Sequence, residues 1–178
     1  MSKLRYYLNQ NTLTMIYYGL VYPYLTYGAT IWGNASKVSI DPLYIYQKKA
    51  VRLITNNNIR NDDFVYPHSA PLFNNLRILT VYDIFKLELL KFVFDSLRKL
   101  NPVQFHSFFN YTNDNVNTAS VRDFKLNPPQ VRTTTYGLES LKYKGAVLWN
   151  SIPLSIRSAT SKKQFSNKLK NLFIKAYV

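Results

Sequence analysis

Residues 80–100, TVYDIFKLELLKFVFDSLRKL, can be accommodated in few kinds of fold. Wound as a helix, they are apolar around most of the circumference, and such a helix must be covered on several sides. Asn101-Pro102 stops it, because the residue before a proline is pushed out of helical space. One stripe is charged: Glu88, Lys91, Asp95, Arg98 and Lys99. It mixes both signs at helical spacing, so it reads as a solvated face and not as a polyanion site.

The rest of the chain supplies helices to cover it. No charged residue occurs from Asn11 to Ser36, which on length alone would span a bilayer. Asn11, Thr12, Thr14, Pro23, Thr26, Asn34 and several tyrosines interrupt the run, so the expectation is a buried helix and no membrane span. It should be capped at Asn11 or Thr12, carry Leu13, Ile16, Tyr17 and Leu20 inward, and kink at Pro23. A second helix has a start signal at Asp41-Pro42. There Leu43, Tyr46, Ala50, Leu53 and Ile54 share a face, with Lys48, Lys49 and Arg52 opposite, until Asn56-Asn57-Asn58 ends it.

The composition changes near residue 111, where YTNDNVNTAS reads as a polar linker. This divides the chain into a helical region, 1–110, and a small basic α+β module, 111–178. Short strands are expected at Arg122–Leu126, Gln130–Thr135 and Ser140–Tyr143, around Pro-Pro and Tyr-Gly turns. A last helix opens on a Ser161/Gln164 capping box and buries Phe165, Leu169, Leu172, Phe173 and Ala176. The fold class is therefore mainly α: a helical bundle, then a small module with short antiparallel strands and a C-terminal helix.

Little in the chain can do covalent chemistry. It has no cysteine, which excludes disulfides, CxxC zinc sites, zinc knuckles and a thiol nucleophile. That absence, with no secretory pattern at the start, leads to an intracellular expectation. The adjacent carboxylates Asp62 and Asp63 sit in a polar loop and read as a turn. His68 and His106, the two histidines, have no neighbour at ligand spacing. No glycine-rich phosphate loop and no G-x-S-x-G occurs. No catalytic residue, metal or cofactor is expected.

Binding is better supported. The chain has 23 Lys+Arg against 9 Asp+Glu, a formal charge of +14, so its surface potential attracts polyanions. Lys48, Lys49 and Arg52 form one cationic stripe. Lys125, Arg132, Lys142 and Lys144, with Arg122, recur through the expected strands among Phe124, Tyr136 and Tyr143. Lys162, Lys163, Lys168 and Lys170 cover the last helix. Such groups neutralise phosphates with salt-sensitive, sequence-tolerant affinity. The alternative is a membrane-surface module that uses the basic helices against anionic lipid, or a protein-interaction module with Trp149 as its hot spot. YKGAVLWNSIP itself reads as a core peg, its Gly145-Ala146 pair allowing close helix approach and Trp149 anchoring it.

Five stretches occur in a telling order: KLRYYLNQNTLTMIYYGLVYPYLTYGATIWG, LYIYQKKAVRLIT, HSAPLFNNLRILTVYDIFKLELLKFVF, QVRTTTYGLESLKYKGAVLWNSIP and SKKQFSNKLKNLF. Together they resemble the C-terminal part of reverse transcriptases of LINE-type retrotransposons, those without long terminal repeats, particularly jockey-like animal elements. The resemblance runs over nearly the whole chain. It implies the thumb and the segment beyond it, without the fingers, the palm with its catalytic carboxylates, or the endonuclease domain. Asp62-Asp63 does not match the palm's hairpin, so no catalytic residue carries over. The resemblance assigns Lys48, Lys49 and Arg52 to the backbone of an RNA template and DNA primer. It takes Arg132, Thr133, Gly137, Gly145, Trp149 and Pro153 as the mark of the post-thumb module, with a role in RNA binding or assembly. A functional copy would work in the nucleus. NVNTASVRDF departs from the family's His-x-Tyr-x-Thr-Arg-like element, which leaves Arg122 without an assigned role. Met1 falls inside the thumb's first helix pair, which fits a truncated element.

Overall fold

Asn9 opens the first helix, its side chain accepting the Thr12 N–H at 2.8 Å, ahead of the expected caps at Asn11 and Thr12. The structure, a computed structural model, describes residues 3–56, 68–112, 124–134 and 136–177. It is mainly helical, as expected. The chain packs as two units, Met1–Phe85 with Asn171–Val178, and Lys86–Lys170. The composition change near residue 111 falls inside the second of these.

In the first unit, α1 (Gln10–Ile16) runs into a wide π-helical turn, Tyr17–Val21, and then α2 (Tyr22–Thr26). Pro23 has no N–H to give to the preceding turn, and its ring crowds the carbonyl four residues back. The wide turn absorbs that conflict, with the Tyr22 N–H reaching back to the Tyr17 carbonyl. It also rotates the later residues about the helix axis. Leu13 and Tyr17 are buried as expected, whereas Leu20 is 65% exposed and Val21 packs on the core instead. Gly28, at φ 61°, turns the chain into the short α3 (Ala29–Trp32).

Helix α4 (Lys37–Ile54) begins after Ser36, so Asp41 and Pro42 lie within it rather than at its start. Its buried face is Ile40, Gln47, Val51 and Ile54; the expected Tyr46 is 66% exposed. Apolar patterning does not mark Gln47, but hydrogen bonding brings it in. Its Nε2 donates to the Tyr17 hydroxyl and the Leu79 carbonyl, and its Oε1 accepts the Val81 N–H, each at 2.8 Å. A buried amide with three partners carries no desolvation debt of note. Leu13, Tyr17, Val51, Ile54, Leu72, Phe73 and Ile78 form the core here, the last three from α5 (Ala70–Leu76) and the segment after it. Residues 171–177 complete the unit. Arg77 donates to Asn171 at 2.6 Å, and the Tyr177 hydroxyl accepts the Thr80 N–H at 3.0 Å while donating to Asp83.

The stretch of residues 80–100 forms α6 (Val81–Leu97). It closes with Lys99 at φ 57° and the Leu100 N–H on the Asp95 carbonyl at 2.8 Å, just before Asn101-Pro102. The second unit continues with α7 (Leu141–Ser151), α8 (Leu154–Arg157) and α9 (Lys162–Lys175) as far as Lys170. Gly145 lets α7 come close: a Cβ there would lie 2.8 Å from the Phe109 ring and 3.0 Å from Val93. Trp149 is buried with its ring centre 5.6 Å from that of Phe165.

The strands are not confirmed. Among the described residues the β pairing is one isolated antiparallel bridge, Tyr111 with Leu126. Ser140–Tyr143 is instead the start of α7, with the Ser140 hydroxyl accepting the Tyr143 N–H. A serine cap followed by a face of Gly145, Ala146 and Trp149 outweighs the short alternation of Leu141 and Tyr143. The described part of Gln130–Thr135 holds no strand either. The charged stripe of α6 also needs correction. Asp95 is buried, and its Oδ2 is paired with Lys162 from α9, so this position does not face solvent.

Candidate nucleic-acid interface

Three of the cationic residues read from the sequence share α4. At about 100° per residue, Lys49 lies opposite the buried line through Ile40, Gln47 and Val51, with Lys48 and Arg52 on one flank of that outer face. Each lysine rests on a tyrosine ring from its own helix. Lys48 Nζ is 4.6 Å from the centre of Tyr44, and Lys49 Nζ is 5.3 Å from that of Tyr46. Cation–π contact of this kind leaves an ammonium group's charge in place, since a ring has no compensating charge. Among the described residues neither lysine has an ion pair. The helix has one carboxylate, Asp41, and it accepts a hydrogen bond from the Tyr82 hydroxyl. Burial and then that hydrogen bond push the Tyr82 hydroxyl up to about 12.

The remaining four cations lie in the second unit and do not form the stripe that strands would have made. Lys142 and Lys144 would share one face of a strand; in the first turns of α7 they are about 200° apart. Lys142 Nζ sits 4.4 Å from the centre of the Phe108 ring. Lys144 is paired with Glu139, which removes much of its value toward a phosphate. Lys125 is exposed beside the Tyr111–Leu126 bridge, its carbonyl accepting the Thr112 N–H at 3.0 Å. Arg132 is exposed in an irregular segment. On α9, Lys162 is taken by Asp95 and Lys168 donates to the Ser155 carbonyl at 2.9 Å, so at least two of the four lysines that cover this helix have structural contacts.

Of the residues considered for chemistry, Asp62, Asp63 and Arg122 lie outside the described residues. His68 is exposed and its Nδ1 accepts the Ala70 N–H at 3.3 Å. His106 Nε2 is 2.6 Å from the Asn101 carbonyl. Among the described residues no cluster of three or more His, Asp or Glu could hold a metal ion, and no helix is long and apolar enough to cross a membrane.

Sequence reading missed Arg98, placed with the solvated stripe of α6. Its guanidinium lies 4.9 Å from the centre of the Phe94 ring and donates to the Ala159 carbonyl at 2.7 Å. Nothing in the helical periodicity marks it out, because its hydrogen-bond partners come from residues more than sixty positions away in the chain. No family model, curated protein or solved structure matches the chain.

Proposed function

We propose that this chain is the non-catalytic C-terminal part of a LINE-type reverse transcriptase, one that grips the backbones of an RNA template and DNA primer. The five ordered sequence stretches suggest the family. The observation that carries the binding role is the outer face of α4, where Lys48 and Lys49 stand on tyrosine rings without a carboxylate partner among the described residues. With Arg52 half-buried on the flank of Lys48, the helix carries three positive charges across its outer face, suited to phosphates and to no particular base sequence. The chain contributes grip; the polymerase carboxylates of such enzymes belong to the palm.

The test is the salt dependence of binding to an RNA–DNA hybrid, followed by fluorescence anisotropy. The expected plot of log affinity against log salt is steep, and changing Lys48, Lys49 and Arg52 together to Ala lowers its slope by about 3. The loss should be equal for hybrids of unrelated sequence. A flat salt response, or a loss confined to one sequence, overturns the reading. So does tighter binding to anionic vesicles that RNA fails to displace.

A further inference from the structure

The second unit contains a cleft of about 140 Å³ lined by Phe94, Leu97, Arg98, Tyr111, Phe124, Trp149, Arg157 and Ser158. Its chemistry is selective. Four of its walls are aromatic, two are guanidinium side chains, and among the described residues no carboxylate lines it. Tyr111 and Phe124 meet edge to face, with ring centres 6.1 Å apart. The indole N–H of Trp149 is already committed to the Phe124 carbonyl at 2.7 Å, so Trp149, itself buried, forms part of the cleft wall and offers no donor. Phe124 itself sits at φ 43°, a region a bulky aromatic rarely adopts. Strained backbone held by its surroundings is concentrated at ligand sites.

Arg98 adds the charge. Its contacts with the carbonyls of Ala159 and Thr160 use two of the five N–H groups a guanidinium carries. Arg98 and Tyr111 line the same cleft, where burial pushes the Tyr111 hydroxyl up while Arg98 pulls it down. Size narrows the occupant further. A cavity of roughly 150 Å³ takes a benzene ring, so this one fits a single six-membered ring and not a fused pair.

We propose that the cleft is a pocket for one unpaired pyrimidine nucleotide, its base among Tyr111, Phe124 and Trp149 and its phosphate on Arg98. Aromatic side chains beside a cation are how single-stranded segments are held, and the Ser158 hydroxyl is the polar group available to a base edge. The proposal rests on the nucleic-acid role of the chain and adds to it: beyond the backbone grip of α4, a second contact takes a splayed base.

The test uses the whole chain carrying Trp32→Phe, so that emission reports Trp149 alone. Uridine monophosphate should quench it saturably, with adenosine monophosphate and uridine each at least about tenfold weaker. Arg98→Gln and Tyr111→Leu should each weaken uridine monophosphate at least about tenfold, and circular dichroism confirms that each variant is folded. The second variant stands in if the first loses its fold. Changing Lys48, Lys49 and Arg52 to Ala should leave nucleotide binding unchanged. Absence of saturable quenching in a chain that still binds RNA–DNA hybrid with a steep salt slope overturns the pocket alone. Equal affinity for adenosine and uridine monophosphates overturns it as well. Quenching by uridine monophosphate with flat hybrid binding supports the pocket and overturns the backbone grip.

Discussion

The side-chain amide of Asn150 brackets the backbone of Leu126: its Oδ1 accepts the Leu126 N–H at 2.8 Å, and its Nδ2 donates to the Leu126 carbonyl at 2.9 Å. One side chain thus does for a single residue what a neighbouring strand does along a ladder. With the Trp149 indole on the Phe124 carbonyl, it fastens residues 124–126 to α7. Asn150→Ala removes two hydrogen bonds of about 1 kcal/mol each. The expected loss is about 2 kcal/mol, read as a lower urea midpoint with an unchanged slope. Asn150→Asp should recover no more than half of it, since a carboxylate accepts from the N–H and has nothing to give the carbonyl.

Gln47 has a different vulnerability, because it is almost wholly buried. Gln47→Leu strands the Leu79 carbonyl and the Val81 N–H, and should cost about 2–4 kcal/mol. Gln47→Glu keeps the shape but buries a carboxyl whose folded pKa must rise above its unfolded value. Stability linked to such a group is present below the unfolded pKa and is lost as pH rises through the folded one. The Glu variant should therefore be closest to the parent near pH 4 and weakest near pH 7, as measured by urea melts at both.

Two glycines should answer the same substitution with opposite signs. At Gly145 an added methyl meets Phe109 and Val93 at 3.0 Å or less, so overpacking of about 1–3 kcal/mol exceeds the gain of about 1 kcal/mol in helix propensity. At Gly19 a Cβ would have nothing within 4 Å. Gly19→Ala should raise the melting temperature, and Gly145→Ala should lower it.

Alkaline pH should unfold the chain through its tyrosines. The Tyr82 hydroxyl is raised from 10.0 to about 12 by burial and by Asp41. Tyr17, Tyr18, Tyr111 and Tyr177 move in the same direction, burial being the main cause. Folded values above unfolded ones mean that the linked stability is complete below pH 10 and declines as pH rises through about 12. Phenolate absorbance and loss of helical circular dichroism should rise together across that interval. Tyr82→Phe should make the urea midpoint less sensitive to pH there.

How far the sequence could be read depended on whether local pattern or distant partners decided a position. Helix α6 was legible because its apolar circumference and its stop are written within twenty residues or so of chain. The inner side of the first helix was legible as far as Tyr17 and then slipped, since the π turn adds an offset that a regular repeat does not contain. Gln47 was left out of the apolar face because hydropathy cannot see that Leu79 and Val81 would meet its amide. The strand expected at Ser140–Tyr143 failed where a cap and a small-residue helix face competed with a four-residue alternation. At the interface, Lys48, Lys49 and Arg52 share a helix face that periodicity alone defines. Arg98 did not stand out, because the carbonyls and rings that make it part of a cleft come from elsewhere in the chain.

Tyr177 and Asp83 are 94 residues apart in sequence, yet both belong to the first unit. A ribosome adding about 5–20 residues per second separates their emergence by roughly 5–20 s. Through that interval the Thr80 N–H and the Asp83 carboxylate lack the Tyr177 hydroxyl that both contact, while the apolar flanks of α6 are already made. The unit that begins earlier along the chain is thus among the last to be finished, and a nascent chain halted short of residue 177 should be cut readily by protease around Thr80.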